Sequence, residues 1–442
     1  MTTQVSDDLL RACDGRVEPA GDDDALLGIR PRWVASPAST EETAALMRVV
    51  ARDGLAVTAR GSGTRLRWGG RPERLDLVVD TSRIDALVEH AAGDLVYVAG
   101  AGRSLARVQE DVGGAGQRLG IDPPTGGTLG GAVATAASGP LRLHHGAVRD
   151  LVIGMTLVRA DGVVAHSGGK VVKNVAGYDL AKLLTGSFGT LGLITQVALR
   201  LHPVPQGRRW VTASVADAAA AGAAVLAVAH SQLVPSAVEL DVPVSDAGSS
   251  GPGGPGAGAG PREPVGSAGP AGSLSVLVEG HPDGATESAQ RVADLLAASG
   301  GADVLVGEDP PSWWGDHVAA DRPGCTLLRV THVLTGVTPL LRVLTEAAAG
   351  SGVRAHLRGS PAVGVEHVAV EGDSDAVAAL VQRLRVASAG FDGQVVVLDA
   401  PDDVRDRVDL WVPIQALGLM RAVKDRFDPG RLLSPGRFVG GI

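Results

Sequence analysis

The first candidates for chemistry in this chain are backbone N–H groups, because its most unusual stretches are built on glycine. Pro123 to Pro140, PPTGGTLGGAVATAASGP, has no charge, no aromatic ring and nothing bulkier than Leu129. Such a segment can set several N–H groups against an anion, with the hydroxyls of Thr125, Thr128 and Thr135 beside them. Its small side chains would also admit a flat, wide ring system. A tightly packed Gly/Ala turn is the plainer alternative. ARGSGTRLRWGG, Ala59 to Gly70, offers a second set of consecutive N–H groups at Gly61, Ser62, Gly63 and Thr64. It is not a Walker A loop, since no Gly-Lys-Ser/Thr follows, and a simple hairpin turn fits it equally well. LVYVAGAGRSLARV looks like a dinucleotide fingerprint, but Leu105 stands at the third glycine position and no clear acid follows for a ribose. A tight strand-to-helix turn explains it better.

These stretches need elements to hold them. The chain has 442 residues, room for two or three domains, and a net charge of −9 that argues against general nucleic-acid binding. Two cysteines, Cys13 and Cys325, make neither a disulfide framework nor a Cys-rich metal site. There is no run of about 18 apolar residues for a membrane span and no Sec-type leader, so a cytoplasmic location is expected, with peripheral attachment at the inner membrane through partners left open. The acidic residues 1–30 read as a loosely docked arm. SPASTEETAALMRVVARDG reads as a helix with a capping box at Ser39 and Glu42 and a stop at Gly54. LAVTAR, LDLVVD and LVYVAG are short strands, SLARVQEDVGGAG is a helix, and LVIGMTLVRADGVVAHSGG is a strand pair turning at Asp161-Gly162. These elements give an α/β or α+β domain over 31–205. A second α+β domain follows over 206–420, interrupted at 245–273 by a Gly/Ser/Pro/Ala run that reads as a disordered insertion. SAVELDV and LSVLVEG can pair across it, since loop-closure entropy grows slowly with length. Residues 421–442 read as a helix with a Pro-Gly tail.

The last glycine-bearing stretch carries the most specific signal. KNVAGYDLAKLLTGSFGTLGLIT, together with WVASPASTEE, ARGSGT, GGTLGG, VRDLVIG and the tail FDPGRLLSPGRF, resembles the FAD-binding PCMH-type domain of the vanillyl-alcohol-oxidase superfamily. Within that superfamily, AGQRLGIDPP, ASGPLRLHHGAVRDLVIG and GGKVVKNVAGYDLAKLL run in the order seen in FAD-binding E subunits of bacterial glycolate oxidases. The resemblance implies an α+β fold: a two-lobed FAD-binding domain, then a ferredoxin-like cap. It implies one phosphate loop at Arg60, Gly61, Ser62, Gly63 and Thr64, and a second at Pro124, Thr128, Leu129, Gly130 and Gly131. Thr135, Ser138 and Gly139 would lie beside ring or phosphates, and Ile194 would meet the adenine side. No His or Cys lies in Ala59–Gly70, so non-covalent FAD is expected. Lys170, Lys173 and Tyr178 are expected to be structural, and His144 and His145 to be polar residues at a strand end.

Oxidation of a 2-hydroxy acid needs a base for the hydroxyl proton and a cationic clamp for the carboxylate. The His-x-Gly-Asp-Gly-Asn-type and Glu-His-Gly motifs of catalytic relatives are both missing. His332, His356, Arg329 and Arg354 are the remaining candidates, and no metal site is expected. The missing motifs fit a subunit of a glycolate-oxidase-like complex, working beside a related FAD-containing catalytic subunit and an iron–sulfur subunit. A stand-alone FAD oxidase or dehydrogenase, and a flavin-free interaction partner keeping the fold, are the other readings.

Overall fold

The structure is a computed structural model and describes residues 2–169, 179–244, 271–320, 322 and 324–442. Lys170, Lys173 and Tyr178, and most of the expected insertion, lie outside the described residues. The chain divides into two compact units, one of residues 1–204 with 413–442 and one of residues 205–412.

The first unit begins with a correction. Residues 1–30 are not loosely docked: they open with a helix, Thr2–Ala12, and a strand, Val17–Pro19. Leu9 and Cys13 are fully buried in a core with Leu46, Met47 and Val50. Val5, Leu9 and Cys13 recur every four residues, a helical stripe that the surrounding acids obscure in the sequence. Burial pushes the Cys13 thiol up to about 12, so it behaves as a small apolar group.

Val17–Pro19, Trp33–Ala35, Leu77–Asp80 and Val57–Arg60 form a four-stranded sheet in that order. The helix Thr40–Asp53 connects two of its strands. Ser39 Oγ accepts the Glu42 N–H at 3.1 Å, while the Glu42 carboxylate takes the Ala38 N–H instead of closing a strict capping box. Gly54 ends the helix at φ 65°, where a side chain would be strained. Val57–Arg60 and Leu77–Asp80 run parallel, so residues 61–76 are a crossover and the hairpin alternative falls away.

A second sheet is antiparallel throughout, in the order Leu87–Ala91, Val96–Gly100, Leu193–Arg200, Val152–Val158, Val164–Gly168. The helices Leu105–Gly113 and Leu129–Ala134 pack on it through Val108, Val112, Leu129 and Val133. Gly100 ends its second strand and Gly102 follows it. Their N–H groups bond to Ala86 and Ile84 carbonyls, and a Cβ on either would overlap the Ile84 or Thr81 backbone. That Gly-Ala-Gly stretch is a packing turn.

The C-terminal helix Leu417–Phe427 and the tail belong to this unit. Lys424 is fully buried and donates to Asp428 at 2.7 Å and to the carbonyls of Thr190 and Leu433 at 2.8 Å each. Asp428 accepts in turn from the Leu432 and Leu433 N–H groups. The tail then runs beside Val57, which bonds to Leu432 O and Ser434 N.

The second unit is one antiparallel sheet of eight strands made from two βαββαβ halves. Ala302–Gly307, Gly207–Val215, Gly272–Gly280 and Ala237–Val244 form the first half, and Arg354–Ser360, Val365–Glu371, Thr326–Thr331 and Gln394–Asp399 the second. They join edge to edge where Ala237–Val244 pairs with Arg354–Ser360. The expected pairing across the insertion is present, with Val238 opposite Val276. The expected insertion ran too far, however, because Gly272 and Ser273 already lie in a strand. Val238, Leu240, Val242, Leu328, Val330 and Val368 are buried on the helix side, leaving Glu239, Asp241, Arg329, His356, Arg358 and His367 on the other face.

Removing one partner of a buried, fully bonded ion pair strands the other. Lys424→Met should therefore lower unfolding free energy by about 3–5 kcal/mol in a denaturant titration. A loss below about 1 kcal/mol would show that the tail is held by something else.

Candidate functional site

The first unit holds a cleft, open to solvent, of about 790 Å³ counted to its mouth. It lies where the strand Val57–Arg60 ends. Arg60, Gly61, Ser62, Gly63 and Thr64 line it, as do Thr128, Gly130, Gly131, Thr135 and Ile194. Ten of the fourteen residues read from the sequence as cofactor contacts are therefore brought together. Pro124, Leu129, Ser138 and Gly139 are not among the lining residues. Leu129 is buried in the core beneath, the Ser138 hydroxyl meets Arg142, and a Cβ on Gly139 would overlap Asp122.

The two glycine-rich segments do different work. At the first, the N–H groups of Ser62, Gly63 and Thr64 have no partner among the described residues, so they remain available to an anion. At the second, the N–H groups are spent. Leu129 donates to Arg103 O, Gly130 to Ala101 O at 2.8 Å, and Gly131 to Thr128 Oγ1 at 3.3 Å. The second segment is a smooth wall whose value lies in what it lacks. A Cβ on Gly61 would overlap Thr128 Oγ1, and one on Gly130 would crowd the Ala101 methyl. Thr58 adds a buried hydroxyl in the cleft lining with no hydrogen-bond partner.

Charge is divided unevenly. Arg60 is neutralised by Asp24 at 2.7 Å and Asp80 at 3.1 Å, so its guanidinium is already committed. Arg65 was not singled out in the sequence, although it directly follows the loop. It is 7% exposed, and desolvation alone pushes its guanidinium down to about 10. Arg437 reaches the cleft from the tail and donates to the Leu66, Trp68 and Gly70 carbonyls. Phe188, Gly189 and Gly192 complete the lining, and the TGSFGTLG run just before Ile194 was their signal in the sequence.

His144 and His145 lie on a one-turn helix, Arg142–His145, rather than at a strand end. The His145 ring faces His202 at 4.1 Å between centroids and packs on Gly120.

The four catalytic candidates all fall in the second unit and do not form one constellation. Strand alternation puts Arg329, Arg354 and His356 on one face and His332 on the helix-covered one. Arg354 pairs with Glu371 at 2.8 Å. His356 donates through Nε2 to Asp241 at 2.7 Å, and its Nδ1 lone pair accepts from Arg322 at 2.7 Å, so no nitrogen is left as a base. His332 is walled in: Nδ1 donates to Val333 O at 2.7 Å and Nε2 to Glu366 Oε2 at 2.5 Å. Both ring nitrogens are therefore engaged, and neither is left as a base.

Burial lowers the His332 pKa, but bonding to Glu366 outweighs it and the net direction is up. A raised folded pKa means the stabilisation is whole below the unfolded value of about 6.5 and is lost as pH rises through the folded one. Denaturation midpoints measured from pH 6 to 9 should fall more steeply for the wild type than for His332→Gln. Equal slopes would refute the ion pair.

Comparison with known proteins places this geometry. A family model for a FAD binding domain matches residues 31–168. An FAD-linked oxidoreductase of Mycobacterium tuberculosis is 34% identical over 211 residues, 48% of this chain and 46% of that protein. D-lactate dehydrogenase of Archaeoglobus fulgidus is 37% identical over 175 residues, 38% of each chain. Glycolate oxidase subunit GlcE of Escherichia coli is 39% identical over 123 residues, 27% of this chain and 35% of that one. The chain thus spans less than half the length of these relatives. Among solved structures, alkyldihydroxyacetonephosphate synthase superposes over 92% of this chain and 78% of its own with a TM-score of 0.66. At 15% identity that likeness concerns the fold alone. The cleft lies between segments of residues 31–168, which match the model of a FAD binding domain, and the strand that carries Ile194.

Proposed function

We propose that this chain is a FAD-binding oxidoreductase subunit of a glycolate-oxidase-like complex acting on small 2-hydroxy acids, and that it holds FAD without a covalent bond. The observation that carries the reading is the cleft itself. Three partnerless N–H groups at Ser62–Thr64 face a wall with no side chain larger than threonine at 128, 130 and 131, inside the region matched by the FAD-binding family. A dinucleotide diphosphate fits those donors, and the orphaned Thr58 hydroxyl is a further donor waiting for an acceptor. No His or Cys is among the described residues that line the cleft, which favours a releasable cofactor.

When bound, FAD supplies the hydride acceptor for oxidation of an alcohol carbon. This chain's own part is to hold the diphosphate with the first loop, keep space for the cofactor with the second, and fix the first loop's continuation by the Arg437 bonds to Leu66, Trp68 and Gly70. The engaged state of His332 and His356 supports a division of labour in which a related FAD-containing subunit removes the substrate's hydroxyl proton. Likeness to GlcE, a glycolate oxidase subunit, supports that assembly; an iron–sulfur subunit as onward electron carrier is part of the proposal. Likeness to D-lactate dehydrogenase supports the second reading, a chain that oxidises a 2-hydroxy acid unaided.

The purified chain should show flavin absorbance that passes into the supernatant on acid precipitation. Glycolate or D-lactate should bleach it only when a GlcD-type subunit is added. Bleaching by the lone chain would establish the second reading, colour in the pellet would mean covalent attachment, and a colourless chain that takes up no FAD would sink both.

A further inference from the structure

We propose that Arg65 is the residue that reads the negative charge of the cofactor, pairing its free guanidinium edge with the diphosphate; this assignment rests on the FAD-binding reading above. The argument is one of unmatched charge. Taking a cation out of water is costly unless an anion or a full set of acceptors joins it, and the other well-buried arginines facing these segments have found such partners. Arg60 has Asp24 and Asp80, Arg103 has Asp111, and Arg437 has three carbonyls. Arg65 has no carboxylate. Its Nη2 donates to Thr125 Oγ1 at 2.5 Å and to Gly126 O at 2.8 Å, and its guanidinium lies 5.7 Å from the Trp68 ring centroid. Its Nη1 is buried and bonds to nothing.

Placement adds an independent observation. Arg65 lines the same cleft as the partnerless N–H groups of Ser62, Gly63 and Thr64, three residues of one turn. The two Nη2 bonds fix the guanidinium plane across to the second glycine-rich segment. Gly127 passes so close, at φ 109°, that a Cβ there would crowd Nη1. The guanidinium is thus pre-oriented with both Nη2 protons spent, Nη1 is kept clear by a glycine, and the matching ligand is a single anionic oxygen such as one of a phosphate. Were the site meant to stay uncharged, methionine would fill the same volume without the desolvation cost.

The test compares full-length wild type, Arg65→Met and Arg65→Lys after flavin removal, by fluorescence titration with FAD, ADP and riboflavin and by thermal melts. Arg65→Met should bind FAD and ADP about 10- to 100-fold more weakly, the weight of a charged hydrogen bond. Riboflavin, which has no phosphate, should bind all three proteins alike, and Arg65→Lys should recover part of the loss. In the melts, flavin-free Arg65→Met should be at least as stable as wild type, since it buries no lone charge, while gaining less from added FAD. Equal FAD affinity in wild type and Arg65→Met, or an equal loss for riboflavin, would overturn the assignment and leave the FAD reading standing. A wild type that binds neither FAD nor ADP would overturn both.

Discussion

The first unit is built around one steric constraint: in and behind its cleft, glycines press so closely on a neighbouring segment that a Cβ would overlap it. Gly61 rests on Thr128, Gly130 on Ala101, Gly100 on Ile84 and Gly102 on Thr81. None of these four glycines needs a left-handed φ. They are glycines because of what lies against them, and a side chain at any one would push apart the two sheets' connecting loops. Each costs about 0.5–1 kcal/mol in backbone freedom relative to alanine. Core residues beneath, such as Leu129, Val133 and Ile194, offset that cost by burial.

Close approach alone would leave the loop after Val57–Arg60 free to swing, and the C-terminal tail is what stops it. Lys424 and Asp428 form a buried pair whose every donor and acceptor is used, which is the condition under which such a pair holds its geometry. The pair places Leu432–Ser434 against Val57, and from there Arg437 gathers the carbonyls of Leu66, Trp68 and Gly70. Gly69 and Gly70 lie so near the tail backbone that a Cβ on either would strike Arg437 O or Gly436 O. Residues more than 360 positions apart in sequence thus set the shape of one loop.

This explains which features the sequence made legible. Helices with local caps, such as Thr40–Asp53 behind Ser39, and strands with β-branched runs, such as Leu77–Asp80, depend on near neighbours and were readable. So were most of the cleft's glycines, because a stretch without side chains is conspicuous in one dimension. The N-terminal helix was misjudged because its stripe of Val5, Leu9 and Cys13 is diluted by Asp7, Asp8 and Arg11, and only the core of Leu46 and Met47 decides for it. Arg65 and Arg437 escaped notice for the same reason. An arginine's meaning lies in which acids face it, and that is a property of three dimensions.

Charge bookkeeping separates the two units most sharply. On the polar face of the eight-stranded sheet, Asp241 answers His356 and Arg358, and Glu371 answers Arg354 and Arg322. Asp241 ionises more readily than an ordinary carboxyl despite its burial, because His356 and Arg358 both donate to it. Such a network is satisfied from within and gains nothing from a ligand. The cleft of the first unit is the opposite case: the N–H groups of Ser62, Gly63 and Thr64, the Thr58 hydroxyl and Arg65 Nη1 line it without a partner among the described residues, and Arg65 has no carboxylate beside it. A fold keeps such an arrangement only where something outside the chain completes it. Unpartnered donors and an uncompensated cation are the complement of an anion, and that complementarity is the basis on which we propose a diphosphate there.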